Sequence, residues 1–272
     1  MKPRTTSTGF TLVELAIVTA VVTLLLGGLL VTVSGQIDIQ RTRETREILE
    51  RVREALIGFS VANGRLPCPA TAASNGQESY VGVVGATSCS GPAGNVVHGF
   101  VPGVTLGITP LDREGYVLDG WGFRMRYAVF VGTLNAGSPP TCNNTTNYAN
   151  VFTIAGNMRL ATMSCMAGTG VNPLLYVCAS AAGTTTTDCG SAVLLTKKAP
   201  AVIYSTGKNS VTGGTGADEF ENPNQNSGDT DVVFVSHDIS APGSPGGEFD
   251  DMMTWIALPV LFNRMIASGQ LP

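Results

Sequence analysis

GFTLVEL, residues 9–15, opens an almost unbroken apolar run that continues to residue 33. The only charged side chain within this run is Glu14. A helix needs about 20 apolar residues to cross a hydrocarbon core roughly 30 Å thick. The run is long enough for that, and we expect it to form a membrane-spanning helix.

The nine residues before this run are short, polar and basic. Lys2 and Arg4 favour a cytoplasmic position for this end of the chain, by the positive-inside tendency. A cleavable secretory signal would instead place its small-residue cut site after the apolar core. We therefore expect the rest of the chain to lie on the far side of the membrane.

A glycine, an aromatic residue, an apolar run and one acid at this spacing resemble the processing site of type IV pilins and type II secretion pseudopilins. The resemblance implies that a prepilin peptidase cleaves after Gly9 and that Phe10 becomes the methylated first residue. It further implies that Glu14 pairs with the Phe10 ammonium of an adjacent subunit. An unpaired charge in an apolar layer is strongly penalised, so this pair would set the register between neighbouring helices.

Simpler interpretations of the same residues stay open. Glu14 could be a protonated carboxyl group close to a membrane surface. Gly9 could be a spacer before an apolar helix. By the resemblance, the protein belongs in the bacterial inner membrane as a single-pass protein with a cytoplasmic N-terminus, and then in a periplasmic or cell-surface filament.

The predicted organisation has four parts. They are a leader (1–9), a transmembrane and filament-core helix (10–33), an amphipathic helix half (34–62) and an extracytoplasmic globular head (63–272). In the third part Val52, Leu56 and Phe59 recur at helical spacing, and two prolines at 67 and 69 end the helix.

The segment at residues 119–131 predicts a turn that enters a strand, and short apolar segments between turn residues predict further strands at 151–154, 174–179, 201–205 and 232–236. A helical run is predicted at 252–258, and Pro259 should kink or restart the last helix. The predicted fold class is α+β: the pilin fold, with a long N-terminal helix, half of it transmembrane, packed on an antiparallel sheet and carrying a loop-rich, disulfide-bearing head.

All six cysteines follow the apolar run, and none forms a C-x-x-C pair. An even number in a translocated domain indicates disulfide bonds. Nearest-neighbour pairing predicts Cys68 with Cys89, Cys142 with Cys165, and Cys178 with Cys189. Buried free thiols and a zinc site are the alternatives.

Four acids near the C-terminus, Asp238, Glu248, Asp250 and Asp251, surround a Pro/Gly-rich loop. Hard oxygen ligands on such a loop suit calcium, and major pseudopilins have a calcium loop near this end. The last three acids equally suit the N-terminus of a following helix, as caps and dipole partners. A second acidic patch, at residues 218–231, is predicted to be a solvated loop.

The formal net charge of −4 argues against nucleic-acid binding. The sequence has no P-loop, nucleophile elbow or H-E-x-x-H motif, so we expect no enzymatic activity, no catalytic residue and no required cofactor. The resemblance implies a structural filament subunit whose partners are other pilin or pseudopilin subunits, the prepilin peptidase and an inner-membrane assembly platform. A low-abundance tip adhesin is the alternative, followed by a membrane-tethered enzyme.

Overall fold

The computed structural model describes residues 11–81, 88–91, 94–132, 149–160, 173–212, 214, 216–222, 230–244 and 246–271. Within residues 26–34, and at residue 160, it describes the backbone but not the side chains. The chain divides into two compact units, Met1–Arg43 and Glu44–Pro272. The fold of the described residues is α+β.

Helix α1 spans Leu12–Asn63. It ends just before Gly64, whose positive φ of 68° is a backbone conformation that terminates helices, and the prolines at 67 and 69 could not continue it. Near this end Leu49, Val52, Leu56 and Ile57 are buried in the core of the second unit. Val52, Leu56 and Ile57 follow Leu49 by three, seven and eight positions, which places all four on one face of the helix.

Four strands form an antiparallel sheet in the order β1, β2, β5, β7. Their bounds are Val96–Phe100 for β1, Arg126–Phe130 for β2, Ala201–Ser205 for β5 and Met252–Ile256 for β7. Every residue of β5 is buried, as expected for a central strand covered on both faces. Val96 pairs with Phe130, Arg126 with Tyr204, and Ala201 with Ile256.

A second sheet has three strands in the order β4, β3, β6. Strand β3 (Leu175–Cys178) pairs antiparallel with β4 (Leu194–Ala199) and parallel with β6 (Val233–Val235). Four shorter helices complete the described elements: α2 at Gly103–Leu106, α3 at Asn157–Leu160, α4 at Ala217–Glu221 and α5 at Leu258–Ala267.

The predicted fold class is wrong in its arrangement. Instead of one long helix packed on a single antiparallel sheet, the described strands form two sheets, and the second contains a parallel pair. Among the residues that the structure describes, no helix is long and apolar enough to cross a membrane. The predictions of a half-transmembrane helix and of a single-pass location in the inner membrane are therefore wrong for the residues that the structure describes.

Local predictions had mixed outcomes. The strand predicted within 119–131 and those at 174–179, 201–205 and 232–236 are confirmed as β2, β3, β5 and β6. The predicted strand at 151–154 is wrong, because these residues form turns. The predicted helical run at 252–258 is also wrong: residues 252–256 pair along β5, and cross-strand pairing outweighs their local helical tendency. Pro259 does restart the chain as a helix, in the first turn of α5.

Candidate functional site

The start of α1 is held by a reciprocal capping box. The Thr11 N–H and the Thr11 hydroxyl both donate to Glu14 Oε2 at 3.0 Å, and the Glu14 N–H donates to Thr11 Oγ1 at 3.2 Å. This arrangement satisfies backbone donors that have no partner within the first turn of a helix. Glu14 therefore has a partner within its own chain. The predicted processing residues Gly9 and Phe10 lie outside the described residues.

The first part of α1 exposes a set of large apolar side chains. Leu12 is 87% exposed and Leu24 is 79% exposed. The set comprises Leu12, Val13, Leu15, Ile17, Val18, Val21, Val22, Leu24 and Leu25. Contiguous apolar surface of this kind marks interaction sites in proteins, whereas single exposed apolar residues do not.

Two of the three predicted cysteine pairs are formed. Cys68 is bonded to Cys89, and Cys178 is bonded to Cys189. Cys142 and Cys165 lie outside the described residues. The first bridge follows closely after the end of α1, and the second links the end of β3 to the loop before β4.

Three buried acids lie close together in the second unit. Glu219 comes from α4, and Asp250 and Asp251 precede β7; each side chain is almost fully buried. The Asp250 N–H donates to Glu219 Oε1 at 3.0 Å, and Asn209 Nδ2 donates to the same oxygen at 2.9 Å. A side chain added at Gly214 would collide with the Glu219 carboxylate, so a glycine permits this close approach.

Asp250 accepts hydrogen bonds from the turn that follows β5. Its Oδ2 accepts hydrogen bonds from the backbone N–H groups of Lys208 at 3.0 Å and Asn209 at 3.2 Å. Its Oδ1 is buried and has no hydrogen-bond partner among the described residues. Burial, with the neighbouring Glu219 charge as a second cause, raises the pKa of Asp250 to about 7.

Asp251 is held through a single amide. Asn222 Nδ2 donates to Asp251 Oδ2 at 2.8 Å and to the carbonyl of Val235 at 2.9 Å, while Asn222 Oδ1 accepts from the Val235 N–H at 2.8 Å. Burial raises the pKa of Asp251 well above its ordinary value. The amide thus connects the end of α4, strand β6 and the start of β7.

The predicted calcium ligands have separate surroundings. Asp238 is exposed, and Glu248 lies 3.6 Å from Lys208 Nζ. Asp250 and Asp251 accept hydrogen bonds from protein groups, and in the described part of the chain no three His, Cys, Asp or Glu residues converge as metal ligands would. Calcium binding stays a prediction. The helix-capping alternative is wrong, because these acids precede strand β7.

Sequence reasoning missed two members of this cluster. Glu219 was expected in a solvated loop, and Asn222 was not singled out. No pattern of neighbouring residues marks Glu219 or Asn222, since their partners Asp250 and Asp251 are about 30 positions away. The expected loop also supplies Asp218, whose Oδ2 lies 3.0 Å from His237 Nε2.

No family model, no curated protein and no solved structure matches the chain.

Proposed function

We propose that this chain is a structural subunit of a type IV pilus-like filament or type II secretion pseudopilus. It is processed by a prepilin peptidase after Gly9 and assembled through the first part of α1. The observation that carries the proposal is the exposed apolar surface of residues 12–25. In a filament, equivalent surfaces of neighbouring subunits would cover one another.

Burial on assembly supplies the driving force. Removing apolar surface from water contributes about 25 cal/mol per Å², and a fully buried Leu or Val side chain contributes roughly 1.5–3 kcal/mol. Nine such side chains are exposed within residues 12–25, which is more than the scattered single apolar residues of an ordinary protein surface. Their number therefore supports a role in association between subunits.

Glu14 would give that association direction. It lies at the N-terminal end of the exposed surface, where it accepts from Thr11. On assembly, the amino group created by cleavage after Gly9 would compete for the same carboxylate. The Thr11 donors are neutral, whereas an ammonium group carries a charge opposite to that of the carboxylate, so the new ammonium group would be the preferred donor.

A matched pair of substitutions tests the proposal. Val18 on α1 is 54% exposed, and Val193 in the second unit is 68% exposed. We expect Val18→Asp to abolish incorporation into sheared filaments, since it places a charge within the subunit contact. Val193→Asp should leave the filament yield unchanged.

Both variants would be produced in cells together with the processing peptidase, and the mature N-terminus would be read by mass spectrometry. Cleavage after Gly9 in the Val18→Asp variant separates an assembly defect from a processing defect. Normal filaments from this variant, or equal loss from both variants, would refute the role of the exposed helix surface.

A further inference from the structure

A cavity of about 280 Å³ lies where the end of strand β2 meets the second sheet. Phe130 from β2, Leu174 before β3 and Val232 before β6 line it, and all three side chains are almost fully buried. They give the cavity an apolar floor. Its volume lies just below the roughly 300–1,000 Å³ of sites for drug-sized molecules, so it suits a ligand with a single ring.

The other side chains at this cavity are polar and more exposed. Asn95 contributes an amide, Tyr176 contributes a phenol, and Thr186, Thr187 and Thr230 contribute hydroxyl groups. An amide and a hydroxyl can each donate and accept hydrogen bonds. Among the described residues that line the cavity, none carries a charge. The cavity therefore combines an apolar floor with a rim of neutral polar groups.

The loop that carries Thr186 is held in place by bonds of its own chain. It lies between the two cysteines of the Cys178–Cys189 disulfide. The Thr185 N–H donates to the Asp188 carbonyl at 3.0 Å, and the Asp188 N–H donates to Thr185 Oγ1 at 3.1 Å. The Thr186 carbonyl accepts from the Val232 N–H at 3.3 Å, which ties the loop to the start of β6. A loop already held in one conformation loses less entropy when a ligand binds, and this favours affinity.

Asp188, in the same loop, makes the cavity unfavourable for anions. Burial, with the Asp188 charge as a second cause, raises the pKa of the Tyr176 hydroxyl. This hydroxyl therefore keeps its proton and can donate a hydrogen bond to a ligand. The same negative charge repels a phosphate or carboxylate. A neutral ligand is favoured.

A neutral pyranose matches both parts of the lining. Its C–H faces are apolar, and its hydroxyl groups lie around the ring, where each can donate and accept. A plain hydrocarbon ring would shield the Asn95 amide and the rim hydroxyls from water without bonding to them, which is costly. A linear polyol has the hydroxyl groups but loses more rotational freedom on binding.

We propose that this cavity binds a single neutral pyranose. One C–H face of the sugar lies on the apolar floor, and its hydroxyl groups bond to Asn95, Tyr176 and Thr186. The site goes beyond the proposed function and does not depend on it. It belongs entirely to the unit Glu44–Pro272.

The methyl glycosides of glucose, galactose and mannose are the probes that test the site. Binding would be followed in amide NMR spectra of the full chain. We expect at least one of the three glycosides, at millimolar concentrations, to shift the signals of Asn95, Tyr176 and Thr186. Cyclohexanol, mannitol and glucuronate lack most hydroxyl groups, the ring and the neutral charge, respectively. Each should bind at least about fivefold more weakly than the best glycoside.

Substitutions at the rim locate the binding. Tyr176→Phe and Thr186→Val each remove one hydroxyl group with little change of shape, and each should lower the affinity for the best glycoside about two- to tenfold. Thr212→Val removes an exposed hydroxyl group outside the cavity and should leave the affinity unchanged. Thr230 is exposed at the rim, so Thr230→Trp should block entry and abolish binding without disturbing the core.

If Thr230→Trp does not fold, the two hydroxyl variants decide the question. Unchanged affinity in both Tyr176→Phe and Thr186→Val would overturn the proposal, as would binding that persists in folded Thr230→Trp. Cyclohexanol binding as tight as that of the best glycoside would contradict it too. An absence of shifts at the three lining residues with all three glycosides would refute it outright.

Discussion

The first and last parts of α1 carry the same kinds of residue in opposite environments. Residues 12–25 expose Leu, Val and Ile side chains, whereas Leu49, Val52 and Leu56 near the other end are almost fully buried. Apolar composition alone therefore does not determine burial. The last part packs on strands and loops of its own unit, while the apolar side chains of the first part are exposed. The difference separates residues that stabilise the fold from residues that we propose serve assembly.

The largest expected effect comes from removing apolar volume at the buried end. Leu56→Ala should destabilise the second unit by about 2–5 kcal/mol, the usual cost of a cavity in a close-packed core. Leu24→Ala, at a residue that is 79% exposed, should change the same free energy of unfolding by less than about 0.5 kcal/mol. Denaturant unfolding monitored by tryptophan fluorescence measures both values, because Trp121 and Trp255 both belong to this unit. Equal losses would remove the distinction between the two parts of α1.

A pH-dependent effect should follow from Asp250. Its folded-state pKa is raised to about 7 from an ordinary 3.8, so the folded chain holds a proton that the unfolded chain releases. The associated stability is fully present below about pH 4 and is lost as the pH rises through about 7. At pH 8, Asp250→Asn should therefore be more stable than the parent by up to about 4 kcal/mol. At pH 4 it should show no such gain. Urea unfolding between pH 4 and pH 8 measures this difference in the free energy of unfolding.

Asp238→Asn is the matched control for that experiment. Asp238 is exposed in the same region, so its substitution should leave the pH dependence unchanged. Asp251 and Asp119 also have raised pKa values through burial, and some decline with pH should persist in Asp250→Asn. Parallel pH profiles for the parent and Asp250→Asn would contradict the linkage.

The disulfide between Cys68 and Cys89, which follows the end of α1, should stabilise this end of the helix by an amount comparable to the effects above. Replacing Cys68 and Cys89 together by Ser should cost about 3 kcal/mol, since the bridge closes a separation of 21 residues in the unfolded chain. The Cys178 and Cys189 pair, with a separation of 11, should cost slightly less. Unfolding of both double variants under oxidising conditions gives the comparison. A negligible change in the first would mean that packing alone holds the end of α1.

The smallest effect should appear at the exposed end. Thr11→Ala removes the hydroxyl that caps Glu14 and should reduce the helical carbon chemical shifts of residues 12–15. Thr42→Ala removes a hydroxyl that donates to the Asp38 carbonyl within the helix and should leave those shifts unchanged. Stability of the second unit should not respond to either change. Unaltered shifts in Thr11→Ala would show that the capping box does not hold this turn.

Local chemistry accounts for the features that sequence reasoning predicted well. The prolines at 67 and 69 lie just beyond the end of α1, Pro259 lies in the first turn of α5, and the nearest-neighbour cysteine pairs require only short loops. The effect of each proline depends on a few adjacent residues, whereas the two disulfides join cysteines 21 and 11 positions apart. The candidate acids were only partly predicted, because Glu219 and Asn222 acquire their roles from partners distant in the chain.

By itself, the sequence determined where the chain is apolar and where helix α1 must stop, since covalent geometry and local propensity act over a few residues. Only the tertiary structure decided which apolar residues are covered, because burial depends on surfaces brought together from distant segments. It placed residues 252–256 in a strand instead of a helix, gathered Glu219, Asp250 and Asp251 in one buried cluster, and put Arg126 beside Phe100. Long-range pairing and desolvation produced these outcomes.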